Sequence, residues 1–326
     1  MCQPEAVSNP RSVASTTPPV CVLGLGLIGG SLLRAAVRAG RKGWGYNRSD
    51  ATAAAAREDG FDASTDLRAV LGRAEAESAL IVIAVPMPAV DATLDAIAEY
   101  APSCPITDVV SVKAAVLEAV SAHGMSPKYV GGHPMAGTSA SGWTVGSVNL
   151  FREAVWVVDT RHDVDPHIWR QVAQLALDCG AVVVPAEPVE HDSVVARISH
   201  LPHLLAETLA VTGDAGGPLA LGLAAGSFRD GTRVAGSSPT LVRAMCEGNR
   251  DALLVALDEA LALLTATRAS LDAEASVADL VDAGHAARGR YDEQTHWEIV
   301  GIEPGSDDWA KRLQDAGRRG GRIRRL

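Results

Sequence analysis

The sequence predicts two domains, a doubly wound α/β sheet followed by an all-helical unit. Three observations carry this expectation. Val20-Cys21-Val22-Leu23 is an apolar run that feeds Gly24-Leu25-Gly26-Leu27-Ile28-Gly29 and then Leu32-Leu33-Arg34-Ala35-Ala36-Val37. That is the order strand, glycine turn, helix. Ala79 to Val85 is apolar throughout and ends at Pro86, as in strands buried on both faces of a parallel sheet. Beyond Val189 no strand pattern recurs, and Ala- and Leu-rich stretches run at helical spacing instead.

Taken in order, residues 1–19 are rich in Ser, Thr and Pro and read as a disordered lead-in. They have neither the basic nor the apolar region of a secretory signal. The sheet domain spans 20–187. Its strands are expected at 20–23, 43–47, 79–85, 106–110, 129–132, 154–158 and 181–185, with helices at 50–59, 89–100, from 113, and at 166–179. The helical domain covers 188–300, with helices over 189–211, 217–226 and 239–271. Leu253, Leu254, Leu257, Leu261 and Leu264 share one stripe. That stripe is too broad for one small bundle, which points to a homodimer. Residues 301–326 carry Arg318, Arg319, Arg322, Arg324 and Arg325 among glycines and read as a solvated basic tail.

Composition narrows the class. The 326 residues carry a formal net charge of −10, which argues against a nucleic-acid surface. No apolar run approaches the roughly 18 residues of a membrane span. The five cysteines are scattered and odd in number, which suits free thiols in a reducing cytoplasm.

Gly24-x-Gly26-x-x-Gly29 is the spacing of a dinucleotide cradle. Gly24 permits the tight turn, Gly26 leaves room for a pyrophosphate, and Gly29 lets the helix lie close to its strand. With Leu25, Leu27, Ile28, Val85 and Pro86, these residues form the expected cofactor site. The ribose position after the second strand holds Asn47-Arg48-Ser49 in place of an acid. An acid would repel a 2′-phosphate, whereas Arg48 can pair with one. The cofactor is therefore NADP or NAD, with NADP or dual use favoured.

Four further stretches place polar groups where loops gather above the strand C-termini. Asp108-Val109-Val110-Ser111-Val112-Lys113 is the first, and Gly132-His133-Pro134-Met135-Ala136-Gly137-Thr138 the second. His191-Asp192 with Ser199-His200-Leu201-Pro202-His203 is the third, and Asp230-Gly231-Thr232-Arg233 the fourth. His133, between glycine and proline just past a strand, is placed to act on a substrate. His200 and His203 share a helix face, and Pro202 should disturb that helix and turn them toward a cleft. Their spacing also suits a metal, but no Glu or Cys completes a set, and no metal is expected. Arg233 offers a guanidinium for a carboxylate.

Together, with Asn249, these stretches resemble the prephenate/arogenate dehydrogenase family of tyrosine biosynthesis, in family order from residue 20 to about 270. The resemblance implies a Rossmann-type domain, a helical dimerisation domain, and NAD(P)-dependent oxidative decarboxylation of prephenate, or alternatively of arogenate. It implies that His133 is the base, assisted by Ser111. It also implies that Arg233 holds a substrate carboxylate while His200, His203 and Thr138 line the pocket. Ser139, Leu241-Val242 and Val110 depart from the family pattern and bear on side-chain specificity. The His-Pro-Met and Ser-His-Leu-Pro-His stretches argue against another two-domain Rossmann-plus-helices oxidoreductase, such as a β-hydroxyacid dehydrogenase, and a dinucleotide-sensing protein would need neither His133 nor Arg233.

Overall fold

A computed structural model describes residues 17–326 except Ser139. The lead-in before Thr17, Cys2 and the Ser139 departure therefore lie outside the described residues. The elements run β1 (Val20–Leu23), α1 (Leu27–Arg38), β2 (Gly43–Tyr46), α2 (Asp50–Glu58), β3 (Ala63–Ser64), α3 (Leu67–Glu77), β4 (Leu80–Ile83), α4 (Val90–Tyr100), β5 (Ile106–Asp108) and α5 (Ala114–Ala122). These build a five-stranded parallel sheet in the order β3-β2-β1-β4-β5. Every residue of β1 and β4 is fully buried, as the unbroken apolar runs require. The chain winds one way from β1 and the other way from β4. The crevice between their carboxyl ends is where such sheets bind ligands.

The rest of this domain departs from a simple parallel continuation. Strands β6 (Gly132–Pro134) and β7 (Val155–Asp159), helix α6 (Pro166–Asp178) and strand β8 (Val182–Ala186) follow. The three strands form a separate sheet in which β6 runs antiparallel to β7, and β7 parallel to β8. The expected strand at 129–132 is displaced to 132–134, so His133 lies inside a strand and not beyond one. Tyr129 instead bridges Ile106 in parallel and Val130 N donates to Ile106 O at 3.0 Å, which puts residues 129–130 at the edge of β5, where the buried Tyr129 hydroxyl donates to Asp108 Oδ2 at 2.6 Å.

The helical domain opens with α7 (Pro188–Val195), a π turn (Ala196–His200) and α8 (Leu201–Asp214) in one continuous rod. The π turn precedes Pro202, whose missing N–H and bulky ring cannot fit a regular α turn. Helices α9 (Gly217–Leu223), α10 (Gly226–Gly231), α11 (Pro239–Gly248), α12 (Arg250–Glu274) and α13 (Ala278–Asp292) complete it. Its own core is small, built on Val242, Cys246 and Leu253. Leu254, Leu261 and Leu264 are about half exposed.

The expected solvated tail is instead folded, and the helical texture does not run to the C-terminus. Strand β9 (Trp297–Glu298), helix α14 (Trp309–Arg318) and strand β10 (Gly321–Arg322) pack back onto the first domain. Trp309, Ala310, Leu313 and Ala316 are buried on one face of α14. Trp309 meets Trp169 edge-on with ring centroids 5.5 Å apart, and Ile323 bridges Val183 at the edge of β8. The arginines are engaged within the chain. Arg318 reaches Glu190 at 2.9 Å, Arg324 reaches Glu153 at 2.9 Å, and Arg325 reaches Glu298 at 3.1 Å. The arginine count concealed a 10-residue amphipathic helix.

Candidate active site

The glycine turn occupies the crevice between β1 and β4. Gly24 has φ +106°, and a Cβ there would stand 2.4 Å from the Ala84 carbonyl oxygen. A Cβ on Gly29 would fall 1.9 Å from the Gly24 oxygen. Gly26 differs, because its Cβ would point into open space. Backbone fit therefore dictates Gly24 and Gly29, while the room above Gly26 suits a pyrophosphate. No side chain caps the N-terminus of α1 and no acid lies in its first turn. Its amides and dipole are thus free for phosphate. Leu25, Leu27 and Ile28 line this turn, and Val85 packs beside Gly24. The Leu25 amide donates to Asn47 Oδ1 at 3.3 Å, tying the turn to the end of β2. Ser49 caps α2 by accepting from Thr52 N, and Arg48 is exposed. The residues present fit a bound dinucleotide.

Opposite this cradle the two domains share one hydrogen-bonded chain. Asp192 on α7 accepts from the backbone amides of Lys113 and Ala114, both at 2.8 Å. This pins the helical domain to the β5–α5 loop. Its Oδ1 also meets His191 Nδ1 at 2.7 Å, and His191 Nε2 meets His133 Nδ1 at 2.8 Å. Burial alone would raise the Asp192 carboxyl, but hydrogen bonds from His191 and the two amides outweigh it and hold the group ionised.

The proton positions follow from the ends of this chain. An ionised carboxylate can only accept, so His191 Nδ1 carries a proton. With that single proton on Nδ1, His191 Nε2 is bare and His133 Nδ1 is the donor to it. His133 is left with its lone pair on Nε2. Burial, then neighbouring His191, Lys113 and His200, push its proton affinity well below the ordinary histidine range. The ring is neutral at physiological pH and presents a hydrogen-bond acceptor.

Beneath His133, the buried Lys113 ammonium donates to Asp108 Oδ1 and to the Gly132 carbonyl. Asp108 also accepts from Tyr129 and from Val110 N. This ion pair fixes the backbone immediately before His133. His200 is fully buried, with Nδ1 3.1 Å from Asn249 Nδ2. His203 Nδ1 donates to the Ser199 carbonyl at 2.9 Å.

Of the residues singled out in the sequence, the structure thus links His133 and His200 through one network. Ser111 lies on the Lys113 loop without a hydrogen bond to His133 among the described residues. Thr138 is exposed and folds back on its own loop, where its hydroxyl accepts from Ala140 N. Arg233 opens a short 3₁₀ turn packed against α8 and is exposed. His191, Asp192, Lys113, Asp108 and Asn249 received no individual role from sequence. All five stood within the matching stretches, and that was the available signal.

A dinucleotide cradle, with a neutral histidine in the same domain held from across the domain boundary by His191 and Asp192, is an arrangement that suits a dinucleotide-dependent oxidoreductase. Residues 32–185 match the description prephenate dehydrogenase, nucleotide-binding domain, and residues 187–282 match prephenate dehydrogenase, dimerization domain. The chain belongs to the prephenate dehydrogenase family. It is 35% identical over 253 residues to the prephenate dehydrogenase of Bacillus subtilis, a match covering 74% of this chain and 66% of that relative. It thus spans just under two thirds of that relative's length. A solved Corynebacterium glutamicum chain, provisionally named a prephenate dehydrogenase, is 52% identical with a TM-score of 0.89, covering 94% of this chain and 98% of that one. The Synechocystis arogenate dehydrogenase structure is 29% identical with a TM-score of 0.69, covering 84% and 99%.

Proposed function

We propose that the protein is a prephenate dehydrogenase that converts prephenate to 4-hydroxyphenylpyruvate and CO₂. The observation that carries the proposal is the bare Nε2 of His133, fixed by His191 and Asp192 across the domain boundary. A bound nicotinamide supplies the hydride acceptor. His133 Nε2 takes the C4 hydroxyl proton as the C4–H bond gives up its electron pair, and Asp192 stabilises the resulting imidazolium through His191. The C1–carboxylate bond of the dienone then breaks, its electron pair enters the ring, and the phenolate oxygen recovers the proton from His133. Aromatisation drives this second step without a further catalyst.

The substrate is a dianion, and exposed Arg233 is the cation assigned to one of its carboxylates. The assisting role of Ser111 beside His133 and the pocket-lining roles of Thr138, His200 and His203 are part of the same proposal. His203 donates Nδ1–H to Ser199 O, so it holds an anion only when protonated at Nε2. Exposed Arg48, with Asn47 and Ser49, favours NADP or dual use. The half-exposed leucines of α12 and the family's dimerisation domain support a homodimer. Buried free Cys21, Cys104, Cys179 and Cys246 support a reducing cytoplasm, and no described helix is long and apolar enough to cross a membrane.

Purified protein should be given prephenate or arogenate with NAD or NADP, following absorbance of the reduced nicotinamide. Reduction with prephenate is expected. Turnover of arogenate alone would move the assignment to arogenate dehydrogenase, and no turnover with any of the four pairs would refute both.

A further inference from the structure

We propose that Asn249 is a positioning residue that fixes His200 as a hydrogen-bond donor to a carboxylate of the substrate. This rests on the dehydrogenase reading above. The backbone carbonyl of Asp192 accepts from Asn249 Nδ2 at 2.8 Å. A carbonyl cannot donate, so the amide nitrogen and not the amide oxygen faces it. The same nitrogen lies 3.1 Å from His200 Nδ1. His200 Nδ1 therefore accepts, and the ring proton sits on Nε2.

That N–H is buried and has no partner among the described residues. A buried donor without an acceptor is a standing cost that a ligand oxygen removes. The surroundings place it with the reaction site. Asp192 serves His191 and His133 through its carboxylate, and Asn249 and His200 through its carbonyl. A Cβ on neighbouring Gly248 would stand 3.4 Å from Val112, on the loop that carries Ser111 and Lys113. The network thus has two complementary ends, an acceptor at His133 Nε2 and a donor at His200 Nε2. The reacting hydroxyl needs the acceptor, and a carboxylate of the dianion takes the donor.

Two measurements test this. In ¹⁵N-histidine spectra of the intact protein, His200 should carry its proton on Nε2, and the isosteric Asn249→Asp change should move it to Nδ1. A wild-type His200 protonated on Nδ1 would overturn the assignment without reference to turnover. In kinetics, Asn249→Ala should raise the KM for prephenate roughly tenfold or more with kcat within about twofold. Gln at position 200 presents an N–H near the imidazole Nε2 position without help from Asn249. Adding Asn249→Ala to His200→Gln should therefore change KM little. An equal KM rise in both backgrounds would make Asn249 merely structural. A fall in kcat at unchanged KM would place His200 at the reacting hydroxyl instead. Both outcomes overturn the proposal. A wild-type protein that turns over neither substrate would sink the dehydrogenase reading, while the spectra still decide the Asn249 assignment.

Discussion

The two domains bury their apolar residues to very different extents. Strands β1 and β4 of the nucleotide-binding domain are fully buried within one chain. In the helical domain Leu219 and Leu223 are 74% and 73% exposed, and Leu254, Leu261 and Leu264 of α12 sit about half in solvent. The first domain forms its cradle from its own residues and closes its core with the C-terminal segment, through Trp309, Leu313 and Ile323. The second leaves a large apolar surface exposed within one chain, and its first helix is hydrogen-bonded to the first domain through Asp192. The residues proposed for chemistry lie where these two regimes meet. Hydrogen bonds accepted by Asp192 and His191 cross the boundary, so the site depends on docking and not on either core.

Predictions can break this comparison at each of its parts. The largest effect is expected at the boundary. His133→Asn keeps the fold but removes the base, and kcat should fall by about 10²–10⁴-fold with KM nearly unchanged, measured by steady-state kinetics. Within the helical domain, Leu261→Asp should weaken self-association by at least about tenfold, seen as monomer by sedimentation equilibrium while the nucleotide-binding domain keeps its cofactor affinity. In the sheet domain, Arg48→Ala should raise the KM for NADP several-fold to about tenfold and leave that for NAD unchanged.

The smallest effect is on stability. Folded His133 and His200 resist protonation, His200 with a value of about 4 because burial disfavours its charge. The unfolded chain binds those protons first as pH falls below the ordinary histidine value of about 6.5. Stability should therefore decline from there toward about pH 4 and be unaffected above it. The melting midpoint should drop between about pH 7 and pH 5, and by less in His200→Gln.

What was legible in the sequence follows the same division. Gly24, Gly26 and Gly29 lie within one strand-turn-helix segment, so their spacing together with the apolar runs on either side revealed them. The apolar strands and the leucine stripe are likewise local patterns. The His133–His191 contact joins residues 58 apart, and Asn249 reaches back 57 residues to Asp192. Such contacts arise only when domains dock, and no periodicity encodes them. Helix α14 was obscured for another reason. Its Trp309, Leu313 and Ala316 face was written in the sequence, but the neighbouring arginines suggested solvent until Glu190, Glu153 and Glu298 were found opposite them.

The central claim is that Asp192, through His191, sets which nitrogen of His133 is bare. Asp192→Asn tests it most directly, because it preserves shape while substituting an amide that can donate where the carboxylate only accepts. At neutral pH, kcat for prephenate should fall at least about 100-fold with little change in KM. A kcat within about twofold of wild type, with the fold intact by melting, would contradict the account.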